Sequence, residues 1–285
     1  MTIRPETVRA LLPRRPVDAH KGSCGTVLSV CGSYGMAGAA CFAAAAALRC
    51  GAGMVRAALP GSIYPIFSAL LPEAVCLPDL SDRQLCEQVP AADSMVIGCG
   101  LGTADVTAAR LRGVLAAARQ TETPVVLDAD GINLAAAHTD IAEQLGPHCV
   151  LTPHPGEAAR LLHCTPADIA LDRRGTVDRL VRLTGAVVVL KGHDSLVAAP
   201  DGTCLCNPTG NPGMATAGMG DVLAGMIASL AAQGLTPRDA AVCGTYLHGL
   251  AGDEAAAAVS QRALLPRDLL RQLTKIFLAW EASPA

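Results

Sequence analysis

A glycine-rich segment that ends in a single carboxylate is the part of the chain best suited to chemistry. Residues 207–221 read Asn-Pro-Thr-Gly-Asn-Pro-Gly-Met-Ala-Thr-Ala-Gly-Met-Gly-Asp, and the apolar run at 222–227 predicts the first turns of a buried helix. A glycine turn before a helix presents unpaired backbone N–H groups and the positive end of the helix dipole to an anion. With Asp221 opening that helix, a phosphate cradle adjoins a base that could activate a hydroxyl group. The alternative is that Asp221 is an ordinary N-cap after a tight turn.

Polar residues also follow several other apolar runs of the chain. In open α/β sheets, ligands bind at the carboxyl ends of the strands, so these residues are candidates for the same site. Each group alone is weak, because a strand-end glycine is usually a turn and Asp130 could be a helix cap. The groups are Gly-Cys-Gly-Leu-Gly at 98–102, Asp-Ala-Asp-Gly-Ile-Asn at 128–133, Thr-Pro-His-Pro-Gly-Glu at 152–157 and Lys-Gly-His-Asp-Ser at 191–195.

Two side chains in these groups each have a functional and a non-functional interpretation. Lys191 is one of only three lysines in the chain, and a lysine at the end of a buried strand suits a contact to phosphate, although it could also stand there by chance. His154 lies between two prolines that stiffen its loop, and a structural role fits it as well as a substrate contact does. A P-loop is excluded, because Gly-x-x-x-x-Gly-Lys-Ser/Thr is absent.

Alternating strand and helix patterns must position these groups. The alternation predicts a mostly parallel sheet covered by helices on both faces, in a single α/β domain over residues 1–285. Residues 195–206, with Pro-Asp-Gly in the middle, predict an antiparallel hairpin, and the first ~20 residues could form an arm. Strands are predicted at 26–31, 53–59, 94–98, 124–128, 149–152 and 186–191, and helices at 39–49, 104–119, 156–162 and 168–183, with further helix starts near Asp221, Pro237 and Pro266.

Composition excludes several classes of protein. A formal net charge of −3 without a basic run argues against nucleic-acid binding. No apolar stretch reaches the roughly 18 residues of a membrane span, and the first residues lack the pattern of a signal peptide. The 12 cysteines are scattered without a Cys-x-x-Cys pair, which favours reduced core thiols in a cytoplasmic protein.

Taken in order, the motifs resemble one known family. The chain from about residue 15 onward is similar to the ADP/ATP-dependent NAD(P)H-hydrate dehydratases, a branch of the ribokinase-like superfamily. The resemblance implies a three-layer α/β/α fold and repair of NADH or NADPH hydrated on the nicotinamide ring (NADHX and NADPHX). The matching segments are His-Lys-Gly-x-x-Gly at 20–25, Gly-Ser at 32–33, Met-Ala-Gly-Ala at 36–39, Asp-Ala-Asp at 128–130, 152–157, Lys-Gly at 191–192 and 211–221.

The resemblance also implies roles for individual residues. Asp221 would be the catalytic base, and Glu157 would hold Mg²⁺ through water. Ala217 stands where the family often has glycine, and its methyl group should be tolerated if φ stays negative there. The remaining implied roles are an anion hole at Ala217, Gly218, Met219 and Gly220, nucleotide binding at Lys191, Gly192, His193, Asp194, Ser195 and Gly220, and hydrate binding at Ala39, Gly102, His154 and Asp221.

Partners and rival functions follow from the same resemblance. Mg²⁺ and ADP or ATP as phosphoryl donor are expected, as is a homo-oligomer, with a tetramer as the form suggested by the resemblance. An epimerase for the same damaged cofactor, often fused in front of this domain, would here be a separate chain. A vitamin or thiazole-alcohol kinase would share the anion hole and Asp221, and a silent nucleotide-binding regulator would share the fold; product analysis and a turnover assay separate these alternatives.

Overall fold

A single sheet organises the molecule, which we describe from a computed structural model covering residues 1–282. The strand order is β3-β2-β1-β4-β5-β6-β7-β8-β9, and β1 to β7 are parallel while β8 and β9 pair antiparallel. The predicted domain also includes residues 283–285, which lie outside the described part. The strands of the described part are β1 (Thr26–Val30), β2 (Met54–Leu59), β3 (Val75–Pro78), β4 (Ser94–Ile97), β5 (Val125–Leu127), β6 (Cys149–Leu151), β7 (Val187–Leu190), β8 (Leu196–Ala198) and β9 (Cys204–Cys206).

Helices cover both faces of this sheet. Successive strand residues alternate between the faces, so Val27 packs in one apolar core and Leu28 in the other. The helices are α1 (Pro5–Leu11), α2 (Ala37–Arg49), α3 (Tyr64–Leu70), α4 (Asp82–Cys86), α5 (Asp105–Thr121), α6 (Asp130–Ala137), α7 (Thr139–Ala142), α8 (Pro155–Leu161), α9 (Pro166–Leu171), α10 (Arg173–Thr184), α11 (Met219–Ala232), α12 (Pro237–Val259) and α13 (Pro266–Ala282).

Small residues let α2 and α11 approach each other closely. A Cβ atom at Gly225 would lie 2.1 Å from the carbonyl oxygen of Ala43, so the two helices touch backbone to backbone at this point. The alanine-rich sequence of α2 makes this approach possible, since seven of its residues, mostly alanines, are buried. The close packing fixes the position of α11, the helix that carries Asp221.

The predicted architecture is confirmed, with three differences in detail. The predicted parallel strands and the hairpin at 195–206 are all present. The edge strand β3 and helices α3, α4, α6 and α7 were not predicted. The helix predicted at 168–183 is two helices, because Asp172 leaves helical geometry and caps α10 by accepting a hydrogen bond from the Gly175 N–H. Helix α11 begins at Met219, two residues before the predicted start.

The first residues and the cysteines complete the fold. The predicted arm packs onto the body, where Ile3 and Val8 are buried and Thr2 forms a parallel bridge with Cys206. All 12 cysteines are free thiols. Within residues 1–282, none of the helices combines the length and the apolar character needed to traverse a bilayer.

Candidate active site

A large cleft lies at the carboxyl ends of the parallel strands. Its volume is about 850 Å³, and it brings together chain segments that are up to about 120 residues apart, from Asp128 to Gly249. Of the residues predicted for the site, those lining the cleft are His154, Glu157, Lys191, Gly192, His193, Asp194, Ser195, Ala217, Gly218, Met219, Gly220 and Asp221.

The glycine turn before α11 forms one wall of this cleft. Gly218 is the N-cap of α11 with φ at 93°, a conformation that glycine adopts readily, and a Cβ atom there would lie 2.8 Å from the Phe42 ring. The amides of Met219 and Gly220 belong to the first turn, where N–H groups have no acceptor within the helix. Ala217 is not among the positive-φ residues of the described chain, so its methyl group is tolerated. The turn can therefore bind an anion through its backbone.

Asp221 is the third residue of α11, and the N-cap alternative for it is therefore wrong. Its ligand atom lies within 4.8 Å of those of Cys99 and Asp128. Burial, with the nearby Asp128 carboxylate as the second cause, raises the pKa of Asp221 to about 6. A carboxylate with this pKa can accept a proton near neutral pH, which is the property of a general base.

Asp128 and Lys191 form a buried ion pair beneath the turn. The Lys191 Nζ lies 2.7 Å from Asp128 Oδ1, and the Thr152 hydroxyl donates to the same oxygen at 2.7 Å. Burial alone would lower the pKa of Lys191, but the Asp128 and Glu157 carboxylates raise it, so the side chain stays an ammonium. A Cβ atom on Gly220 would lie 3.3 Å from the Lys191 Nζ, so the ammonium group lies directly beside the anion-binding turn.

His154 and Glu157 cap α8 reciprocally. The His154 Nδ1 accepts hydrogen bonds from the N–H groups of Gly156 at 2.9 Å and Glu157 at 3.3 Å, and the His154 N–H donates to Glu157 Oε2 at 2.7 Å. Because Nδ1 is an acceptor, the neutral imidazole carries its proton on Nε2, which is 3.3 Å from Glu157 Oε1. Burial raises the pKa of Glu157, although the Lys191 ammonium opposes this shift. His154 thus has the structural role and also borders the cleft.

The loop after β7 forms the opposite wall. Gly192 has φ at 142° and Asp194 has φ at 54°, and the Ser195 hydroxyl closes the loop by donating to the Gly192 carbonyl at 2.9 Å. Arg173 supports the loop from outside by donating to the carbonyl of Leu190 at 3.2 Å. This tight turn exposes His193 and Asp194 at the mouth of the cleft.

Ala39 and Gly102 do not line the cleft, unlike the other predicted residues. Gly102 follows β4, and its N–H donates to Asp130 Oδ2 at 2.8 Å, so Asp130 supports this loop in addition to starting α6. A Cβ atom on Gly100 would lie 2.9 Å from the Ala39 Cβ, so the start of α2 contacts the loop after β4. Cys99 of the same loop connects this region to Asp221.

Comparison with known proteins decides the family. Residues 27–275 match the model of the family described as NAD(P)H-hydrate dehydratase. The chain belongs to the NAD(P)H-hydrate dehydratase family. The resemblance inferred from the motifs is confirmed.

Curated members of the family differ in length. A bifunctional NAD(P)H-hydrate repair enzyme from Moorella thermoacetica is 45% identical over 92% of this chain, which covers 51% of that protein. An ADP-dependent (S)-NAD(P)H-hydrate dehydratase from Neisseria meningitidis is 43% identical over 84% of this chain and 80% of its own length. The chain therefore spans about half the length of the bifunctional relatives it matches.

Solved structures of the family share the fold. The ADP/ATP-dependent NAD(P)H-hydrate dehydratase from Bacillus subtilis, co-crystallised with ATP and Mg²⁺, has a TM-score of 0.84 and 30% identity, with 98% of each chain covered. A ribokinase-like superfamily protein from Enterococcus faecalis has a TM-score of 0.88 and 28% identity, over 98% of this chain and 95% of its own. The predicted ribokinase-like α/β/α fold is confirmed. A hydroxyethylthiazole kinase from Pyrococcus horikoshii, at 16% identity over 95% of this chain and 92% of its own, has a TM-score of 0.64 and shares the fold alone.

Three residues that line the cleft were not predicted from the sequence. The Nε2 atom of His248, in α12, lies 2.9 Å from the Met219 carbonyl oxygen. Burial lowers the pKa of His248 to about 4, so the ring is neutral and donates to the start of α11. Asn207 holds the cleft edge by donating to the carbonyls of Thr209 at 3.1 Å and Thr245 at 3.3 Å. The buried Thr245 hydroxyl has no hydrogen-bond partner in the described part. Asn207 stands at the start of the glycine-rich segment, but His248 and Thr245 sit inside an alanine-rich helix pattern that gives no signal of a site.

Proposed function

We propose that this protein dehydrates the S form of hydrated NADH and NADPH at the expense of ADP, releasing AMP and phosphate. The observation that carries the proposal is Asp221, a half-buried carboxylate whose pKa is raised to about 6, beside the backbone amides of the first turn of α11. A base next to an anion hole is the arrangement that moves a phosphoryl group onto a hydroxyl.

The proposed reaction begins with the hydroxyl group on the nicotinamide ring. Asp221 accepts the hydroxyl proton while the oxygen bonds to the terminal phosphorus of ADP, and the bond from that phosphorus to the bridging oxygen breaks to release AMP. The ring nitrogen then expels the phosphate, which leaves far more readily than hydroxide, and the adjacent ring carbon loses a proton. The product is the restored dihydronicotinamide.

The anion hole and the loop after β7 supply binding. The amides of Ala217, Gly218, Met219 and Gly220 would stabilise charge on the transferring phosphoryl group. Lys191, Gly192, His193, Asp194 and Ser195, together with Gly220, would bind the nucleotide, which their shared position on the walls of one cleft supports. Ala39, Gly102 and His154 would hold the hydrate. For Ala39 and Gly102, this requires that the hydrate extend past Asp221 toward the loop after β4.

A Mg²⁺ ion fits this site only with help from the substrate. Asp128, Glu157 and Asp221 present carboxylates to the cleft, and Lys191 is the one lysine among its described lining residues. Oxygen ligands suit Mg²⁺, but Asp128 already accepts hydrogen bonds from Lys191 and Thr152, and Glu157 from His154. Glu157 would therefore hold the ion through water, while phosphate oxygens supply direct ligands. Bound there, Mg²⁺ would neutralise the charge of the phosphates.

The cellular setting of the proposal is a cytoplasmic homo-oligomer, with a tetramer as its expected form. An epimerase that interconverts the two hydrate forms would act before this enzyme. The relatives described as bifunctional NAD(P)H-hydrate repair enzymes are compatible with a second repair activity linked to this one.

One incubation tests the proposed function. Hydrated NADH and ADP are mixed with the enzyme, and the dihydronicotinamide absorbance should return together with an equal amount of AMP. A small-molecule kinase would instead give a stable phosphate ester of another alcohol and no restored absorbance. A silent regulator would bind ADP without either product, and both outcomes would refute the proposal.

A further inference from the structure

A second cleft lies at the C-terminal ends of α2 and α11, away from the end of α11 that carries Asp221. Its volume is about 810 Å³, and it is formed by α1 and the residues after it, the ends of α2 and α11, and α13. Since α11 has 14 residues, its two ends are roughly 20 Å apart, so this second cleft is separate from the site around Asp221.

The second cleft is strongly positive. Arg9, Arg14, Arg15 and Arg49 line it, and Glu281 supplies the one carboxylate among its described lining residues. This local surplus contrasts with the formal net charge of −3 of the whole chain. A concentration of guanidinium groups in a concave surface favours an anionic ligand.

The guanidinium groups divide into anchored and available ones. Arg15 is fixed by donating to the carbonyl of Gly51 at 2.7 Å, just after α2 ends. Arg14 and Arg49 are exposed, and their guanidinium groups have no hydrogen bond or ion pair with any of residues 1–282. These two side chains can therefore bind a ligand without first breaking a contact to the described protein.

Aromatic side chains form the remaining wall. Phe277 and Trp280 of α13 line the second cleft, although only 2% of the chain is aromatic and Trp280 is its one tryptophan. The Arg9 guanidinium lies 5.5 Å from the centroid of the Trp280 ring, which is close enough for a cation–π contact. Both rings are half-buried against the core, so each keeps a partly exposed surface.

We propose that the second cleft binds a nucleotide, with its phosphate on Arg14 and Arg49 and its base against the exposed parts of Phe277 and Trp280. Guanidinium groups bind phosphate oxygens through two parallel N–H donors, and nucleobases stack on aromatic side chains. An anion without a base would use only one half of this surface. The proposal does not rest on the function proposed for the first cleft.

The single tryptophan makes the test specific. Trp280 emission is followed while AMP is added to the full chain, with a correction for AMP absorbance. Saturable quenching is expected, and Arg14→Gln and Arg49→Gln should each weaken the Kd for this quenching by about tenfold, as expected for loss of a charge-assisted hydrogen bond. Arg182→Gln, which removes an equally exposed arginine from α10, should leave the Kd unchanged.

Three outcomes would overturn the proposal. No saturable change would show that AMP does not bind near Trp280. Equal quenching in the two arginine variants would show that the signal originates at the first cleft. Pyrophosphate that quenches as strongly as AMP, at an equal or lower Kd, would show an anion site without base recognition. At an AMP concentration near the Kd of the quenching, equilibrium dialysis should give less AMP bound per chain for Arg14→Gln than for the unchanged protein, whether or not the first cleft also binds AMP.

Discussion

Asp221 shares its buried surroundings with Asp128, and Lys191 is the cation that neutralises this pair of acids. The Lys191 Nζ lies 2.7 Å from Asp128 Oδ1. Its attraction lowers the pKa of Asp221 but only partly offsets the rise that burial causes. The Asp128 charge also helps to keep the pKa of Asp221 high. Two aspartates with different environments can in this way serve different roles, one as a structural partner of Lys191 and the other as a base.

Replacing Asp221 with Asn tests the base directly. The turnover rate should fall by roughly 10²–10⁴-fold, the usual contribution of a positioned base. The Kd for ADP should stay the same or decrease, because a negative charge near the terminal phosphate is removed. Steady-state kinetics and calorimetry measure the two quantities. Near-normal turnover, or loss of ADP binding together with turnover, would mean that Asp221 is not the base.

The pH dependence of kcat/KM should report the same carboxylate. Asp221 must be ionised to accept a proton, and its pKa is about 6, so its active form is lost as pH falls through that value. Below this pH the rate should drop by about tenfold per unit, and above it the rate should level off. A profile that stays flat down to about pH 4.5 would place the essential group at an ordinary, unshifted carboxylate.

Gly220 offers a graded test of the anion hole. A Cβ atom there would lie 3.3 Å from Lys191 Nζ and 3.5 Å from Asp128 Oδ2, so a larger side chain crowds the ion pair beneath the amides. Gly220→Val should weaken ADP binding by at least about tenfold, and Gly220→Ala by less. Calorimetric titration gives both values. An unchanged Kd in the valine variant would remove the turn from the nucleotide site.

At the scale of the elements, the contact between α2 and α11 sets the position of Asp221. Gly225→Ala puts a methyl group 2.1 Å from the Ala43 carbonyl oxygen, and backbone cannot move aside as a side chain can. The free energy of unfolding should fall by about 1–3 kcal/mol or more, measured by urea denaturation. Gly38→Ala is the matched control in α2, because nothing lies within 4 Å of its added Cβ, and it should be neutral or stabilising. Equal effects of the two changes would contradict the close approach.

The elements that sequence patterns predicted are those with buried, regular periodicity. Strand β7, with every residue buried, reads as a continuous apolar run, whereas the edge strand β3 has no fully buried residue and ends at a proline. The break at Asp172 between α9 and α10 depends on one side-chain cap, which an apolar periodicity does not register. Apolar periodicity therefore fails first at edge strands and at helix ends that depend on a single side-chain cap.

The site was predictable where residue type and strand ends coincide. Asp221, Lys191 and His154 all stand beside glycine or proline at the ends of predicted strands or turns, and all three line the cleft. His248 lies in the middle of a helix and reaches Met219 across 29 residues of sequence, a contact created only by tertiary packing. Lys191 was predicted as a phosphate contact, but its pairing with Asp128 required the neighbouring strands to be placed.

At the scale of the whole molecule, the negative charge of the protein predicts that its activity requires a divalent cation. The chain has a formal net charge of −3, and the described lining of the cleft proposed to bind the nucleotide has four carboxylates and one lysine. Phosphoryl transfer adds negative charge that these groups cannot neutralise. Activity should therefore vanish in excess chelator and return with added Mg²⁺, as followed by dihydronicotinamide absorbance. Full turnover in chelator would contradict this expectation.

The pairing of the first residues with β9 has a consequence for biosynthesis. The Cys206 N–H donates to the Met1 carbonyl at 2.8 Å, and the Ile3 N–H donates to the Cys206 carbonyl at 2.9 Å, directly before the cleft residue Asn207. The ribosome makes Met1 about 200 residues ahead of its partner, a delay of tens of seconds at roughly 5–20 residues per second. Closing so long a loop costs chain entropy before any contact repays it. This edge of the cleft should therefore be among the last parts of the nascent chain to fold, and the unpaired edge of β9 stays open to chaperones until then.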